Sequence, residues 1–158
     1  MVVDTVRAAA PPRVATGEHP GDRYRRTFLR FHGTVLLLIT VVSVIAATVG
    51  WRTGTGPWAV LRDDGLGYVG LYQAYLLMLV IGVVLWIGST RPRPRVWDLV
   101  GLLAHVPPLT INIVARDTVI ASAGTAIATV SITLHSTFIV LEAIALAWGA
   151  RWSWRRTR

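Results

Sequence analysis

Residues 33–51 read GTVLLLITVVSVIAATVGW, a stretch without a charged side chain. A helix rises about 1.5 Å per residue, so roughly twenty apolar residues cross the ~30 Å hydrocarbon core of a bilayer. A first membrane span over about 31–51 follows. Working outward from it, three more runs meet the same length test. Residues 68–88 read YVGLYQAYLLMLVIGVVLWIG. Residues 96–115 read VWDLVGLLAHVPPLTINIVA, the least hydrophobic of the four. Residues 124–148 are rich in Ala, Ile and Thr. The expected fold is all-α: an integral membrane four-helix bundle in antiparallel, up-and-down order.

Composition agrees. The 158-residue chain is 53% hydrophobic and only 15% charged, too apolar for an ordinary soluble domain. Three parts are expected. Residues 1–30 form a polar, basic arm, disordered through about Gly21 and turning helical from Asp22 to Phe31. Residues 31–150 form the four-helix domain, and residues 151–158 a basic tail.

Charge sets the expected orientation. All sixteen basic residues are Arg, a composition that suggests a GC-rich bacterial genome. The arm carries Arg7, Arg13, Arg23, Arg25, Arg26 and Arg30; the middle loop Arg91, Arg93 and Arg95; the tail Arg151, Arg155, Arg156 and Arg158. The other two loops carry only Arg52, Arg62 and Arg116. Because positive flanks stay inside, both termini and the middle loop are expected in the cytoplasm, with the protein in a bacterial plasma membrane. The tryptophans fall near the predicted interfaces, as aromatic belts do. The net charge of +8 is explained by topology and anionic lipid, so nucleic acid is not an expected partner. The expected partners are the bilayer itself and a second copy or a larger membrane complex.

Several motifs are weighed and set aside. Arg25-Arg26-Thr27-Phe28-Leu29-Arg30 resembles a twin-arginine export signal, but the apolar run behind it exceeds a signal-peptide core; a basic flank before an uncleaved span is the simpler reading. Gly65-Leu66-Gly67-Tyr68-Val69-Gly70 echoes a nucleotide-binding glycine fingerprint without the preceding strand and reads as a turn. Cys is absent, which excludes disulfides, thiolate metal sites and cysteine nucleophiles.

The chemistry-bearing residues are those that lipid rejects. An ionisable group at mid-bilayer costs roughly 2.5–3.5 kcal/mol on insertion scales and usually faces a protein interior. Asp98 and His105 are seven residues apart on the third span, and His135 and Glu142 seven apart on the fourth. Two helical turns place each pair on one face. With the helices antiparallel, both His reach mid-membrane and both carboxyls lie toward the cytoplasm. The expected intramembrane polar site is therefore His105, His135, Glu142, Asn112 and Asp98. Asp98 also suits a first-turn position on the helix dipole, paired with Arg95. Pro107 and Pro108 each remove a helical N–H and crowd the carbonyl four residues back, so a kink is expected there. Tyr68, Tyr72 and Tyr75, with Gln73 beside them, are expected to close a polar pocket in the outer half. Ser43/Ala47, Ala46/Gly50, Gly124/Ala128 and Ala143/Ala147 form small-residue pairs that let helices approach.

Four functional readings remain open on these residues. The chain is read first as a non-catalytic accessory or structural subunit with an intramembrane His/Glu site. Alternatively, His105 and His135 are the axial ligands of a b-type haem in a redox protein. A third reading is a membrane enzyme using Glu142 or His on a lipid-like substrate. A fourth is proton or ion passage through Glu142.

Overall fold

A computed structural model describes residues 20–91 and 94–153. The expected disorder of the arm before residue 20, and the tail beyond residue 153, lie outside the described residues. Helix α1 spans Pro20–Thr53, α2 Gly65–Gly88, α3 Pro94–Val114, α4 Arg116–Ala123 and α5 Thr125–Ser153; a 3-10 turn covers Ala59–Arg62. No strand occurs among the described residues. Four of the helices, α1, α2, α3 and α5, are long and apolar enough to cross a membrane. Their surfaces are what lipid requires: Leu38, Val42, Ile111 and Val130 are all more than half exposed. An apolar surface of that extent is not that of a soluble monomer.

The helix ends differ from expectation in three places. Helix α1 begins at Pro20, so Pro20 and Gly21 are already helical. The glycine-rich 65–70 stretch is the start of α2 rather than a turn, and Asp64 caps it by accepting from the Gly67 N–H at 2.8 Å. Gly67 suits that position because a Cβ there would collide with the Asp64 carboxylate. Residues 116–123, expected as loop, form α4, which buries no residue and ends at Gly124 with φ +87°. Helix α3 is continuous through Pro107 and Pro108.

Two close-packed hairpins emerge. In the first, α1 lies against α2 where two glycines face each other. A Cβ on Gly33 would sit 2.8 Å from the Gly82 carbonyl oxygen, and one on Gly82 would sit 3.1 Å from the Gly33 carbonyl oxygen. Further along, the 3-10 turn folds back so that Trp58 backbone covers Gly50, where a Cβ would meet its oxygen at 2.5 Å. Leu61 joins Ala47 and Tyr75 in a small core with Trp51, Trp58 and Tyr68 packed around it. Of the expected small-residue pairs, Ala47 and Gly50 are buried here, whereas Ala143 and Ala147 face outward.

The second hairpin pairs α3 with α5. The hairpins join near the start of α1. Phe28, Phe138 and Ala145 make one core between α1 and α5. Leu29, Leu36 and Leu85 make another, against Trp97 and Val100 of α3. Gly88 admits the Trp97 ring, which a Cβ would meet at 2.5 Å. Side chains tie the same end. Arg30 Nε donates to Ser89 Oγ at 3.2 Å, and its guanidinium lies over the Trp86 ring.

Candidate functional site

The interior where the hairpins meet is polar. Arg25, His32, Asp98, His105 and Glu142 are all buried there. Each is delivered by a helical face. Arg25 and His32 come from α1, Asp98 and His105 from α3, and His135 and Glu142 from α5. All three pairs are seven residues apart, two turns of one face.

The side chains form a line. His32 Nδ1 is 2.6 Å from Glu142 Oε1. His32 Nε2 is 2.7 Å from His105 Nε2. His105 Nδ1 is 2.8 Å from His135 Nδ1. The chain therefore runs Glu142–His32–His105–His135 without a gap. The rings of His32 and His105 are 18° from coplanar, and a 2.7 Å nitrogen separation means that they meet edge to edge. Phe138 lies across both, its centroid 4.2 Å from His32 and 5.0 Å from His105, and so covers their hydrogen bond with an apolar ring. Gly101 leaves room for the carboxyl of Glu142: a Cβ there would collide with Oε1 and stand 3.3 Å from His32 Cε1.

Proton counting constrains the chain. A neutral imidazole has one N–H and one bare nitrogen. Each of the three contacts needs one proton between its two atoms. With Glu142 ionised, His32 donates to it, His105 donates to His32, and His135 donates to His105. With Glu142 protonated, every donor direction reverses, and His135 carries its proton on Nε2. The two states differ by one proton. A proton arriving at His135 Nε2 thus becomes a proton on Glu142 through three short hops, with no side chain travelling.

Beyond Glu142 lies a second buried carboxyl. Asp98 Oδ2 is 3.3 Å from Arg25 Nε. The contact is a charge pair without hydrogen-bond geometry, because the guanidinium points elsewhere. Arg25 Nε and Nη2 donate to the Ala145 carbonyl at 3.0 and 2.9 Å, and Nη2 reaches the Leu146 carbonyl at 3.3 Å. Arg25 thereby ties α1 to both helices of the other hairpin.

Four of the five expected site residues lie in this interior: His105, His135, Glu142 and Asp98. Asn112 does not join them. It is half-buried, and its Nδ2 donates to the Pro108 carbonyl of its own helix at 2.8 Å. Asp98 pairs with Arg25 rather than resting as a first-turn surface charge. The two residues missed were Arg25, which lay in what was read as a basic flank, and His32, at the edge of the expected first span. Their seven-residue spacing, matching that of the other two pairs, was the available signal. The expected tyrosine pocket is also different. Tyr68 stacks on Trp51 at 4.6 Å and Tyr75 is buried in the α1–α2 core, while Gln73 is exposed.

The site is poorly shaped for a metal. Among the described residues, no three His, Asp or Glu converge as ligands; the donors form a line instead. Axial haem ligation also fails to fit. His105 meets His135 Nδ1 to Nδ1 at 2.8 Å and His32 through Nε2 at 2.7 Å, so both of its ring nitrogens are already engaged. The chain matches no family model, and neither a curated protein nor a solved structure matches it.

Proposed function

We propose that this is a small proton-handling membrane protein, a non-enzymatic subunit whose buried imidazole–carboxylate chain moves a proton between mid-membrane and the cytoplasmic side. The helices run up and down in a bacterial plasma membrane, with both termini and the 91–95 loop in the cytoplasm, as the Arg distribution favours. The observation that carries the proposal is the unbroken run of 2.6, 2.7 and 2.8 Å contacts from Glu142 to His135. A purely structural cluster needs only mutual satisfaction. Here the two ends stay available. Glu142 Oε2 is buried without a hydrogen-bond partner. His135 is half-buried, and its Nε2 makes no hydrogen bond among the described residues.

The same proton counting limits the rate. After one transit every imidazole carries its proton on the opposite nitrogen, so the chain must reset by hopping back or by turning its rings. Phe138 lies across two of those rings and resists turning. The chain therefore suits coupled proton delivery better than channel-like flux.

The test is proton uptake by vesicles containing the purified full chain, read with an enclosed pH dye under a potassium clamp. Uptake above that of empty vesicles is expected, with at least about tenfold loss in His105→Phe and in Glu142→Gln. Folded wild-type protein that takes up no more than empty vesicles overturns the proposal and leaves the accessory-subunit reading. A Soret band in protein expressed with haem available would instead return the redox reading, with the chain opened to admit iron.

A further inference from the structure

Asp98 and Glu142 together hold three buried oxygens that accept no hydrogen bond: Asp98 Oδ1, Asp98 Oδ2 and Glu142 Oε2. Both residues are fully buried. An unfilled buried acceptor is costly, more so when charged. Such a cluster calls for a donor, and the cheapest is a proton shared by the two carboxyls.

The two carboxyls reach the same stretch of α3. The carboxyl of Glu142 rests against Gly101, and Asp98 is three residues earlier on the same helix, about one turn away on the same face. Glu142 is among the charged groups acting on Asp98. The other charged groups acting on Asp98 are Arg25 and Asp22 of α1 and Arg95 of α3. His32 of α1 faces Glu142 from the opposite side. Arg25 is the decisive neighbour. It brings a fixed positive charge to 3.3 Å from Asp98 Oδ2, yet its Nε and Nη2 protons are directed to the carbonyls of Ala145 and Leu146. It therefore compensates charge near Asp98 without filling the Asp98 lone pairs. Asp22, half exposed and 3.9 Å from Arg25 Nη1, continues the line of charged groups toward the surface.

Resting on the proton-handling reading, we propose that Asp98 is the cytoplasmic proton acceptor of the chain, and that Arg25 is a positioning residue whose fixed charge compensates Asp98 and bars metal cations. In the transfer, the Glu142 carboxyl turns to present the proton received at Oε1 from His32; that O–H bond breaks and an O–H bond forms at Asp98, directly or through one water. The electron pair stays on Glu142, which becomes the carboxylate. The pair keeps one proton and one negative charge throughout. A sodium ion, unlike a proton, has to occupy space beside the Arg25 guanidinium, where like charge repels it.

Infrared titration of the carboxyl bands, on the full chain in lipid nanodiscs, tests the sharing independently of transport. Wild type should titrate in two coupled steps belonging to the pair. Asp98→Asn should leave a single step, with the Glu142 midpoint moved by roughly one pH unit or more. An unmoved Glu142 titration in Asp98→Asn overturns the proposal even where vesicle uptake is normal. Absence of wild-type uptake with coupled titration intact overturns the transport reading and leaves the shared proton standing. In vesicles, Asp98→Asn should slow uptake about tenfold or more. Arg25→Lys, which keeps the charge but loses the planar fork, should retain uptake within about threefold. Arg25→Gln should admit sodium, and sodium-dependent carboxylate bands in wild type would overturn the cation barrier.

Discussion

The two ends of the bundle are built on opposite principles. At the Trp58 end, α1, α2 and the 3-10 turn pack within one hairpin through Ala47, Leu61 and Tyr75, with Gly50 against Trp58 backbone. That end is held by close approach and aromatic rings. At the Arg25 end, the two hairpins meet across Arg25, His32, Asp98, His105 and Glu142, all buried. The first kind of packing depends on shape and tolerates no added volume. The second depends on each polar group having its partner, so removing one side chain harms its neighbours as well.

That contrast can be broken by substitution, and the largest effect belongs to the polar end. Arg25→Ala removes the guanidinium 3.3 Å from buried Asp98 and strips two carbonyls of donors. Loss of one member of a buried pair costs about 3–5 kcal/mol, so thermal unfolding in detergent should show this variant as the least stable. Stability within about 1 kcal/mol of wild type would mean that Arg25 is a surface charge.

Next come the glycines, one from each end. Gly50→Ala puts a methyl group into Trp58 backbone, and Gly101→Ala puts one into the Glu142 carboxyl. Overpacking of this kind costs about 1–3 kcal/mol. The two should differ in proton uptake: Gly101→Ala lowers it by displacing Glu142 from His32, whereas Gly50→Ala leaves it unchanged at matched folded fraction. Equal uptake in both would remove the distinction between the ends.

Double-mutant cycles sharpen the comparison further. His32→Ala with Glu142→Leu should deviate from additivity by about 0.5–3 kcal/mol, because the two share a 2.6 Å contact. His32→Ala with Leu61→Ala, one from each end, should add within about 0.5 kcal/mol. The smallest of the expected losses is at Asp64. Asp64→Ala removes the α2 cap for about 1 kcal/mol, and Asp64→Ser should restore most of it; no recovery with Ser would assign the loss to something other than capping.

Much of the polar end was legible before any coordinates. His105, His135 and Glu142 stand out because lipid rejects them. Asp98 was legible as a residue but not as a partner. A charge in a first helical turn looks self-sufficient, and nothing local says that Arg25, on another helix, reaches it. His32 was hidden by its neighbours: four of the nine residues before it, RYRRTFLRF, are Arg, and the uncharged run begins only after it. Asn112 erred the other way. It has the right spacing from His105, but a donor can be satisfied by its own helix, as Asn112 is by Pro108.

The sequence by itself determined four apolar helices, because run length and the cost of bare peptide groups in lipid leave a chain of this composition few alternatives. It also determined which polar residues share a face on each helix, since Arg25/His32, Asp98/His105 and His135/Glu142 are each two turns apart. It did not determine how the three faces are turned toward one another. Rotation and depth are set by packing, where Gly33 meets Gly82, Gly88 admits Trp97 and Gly101 receives Glu142. Only that packing brings three polar pairs, each confined to its own helix, into one interior, where contacts of 2.6–2.8 Å satisfy what lipid would leave bare.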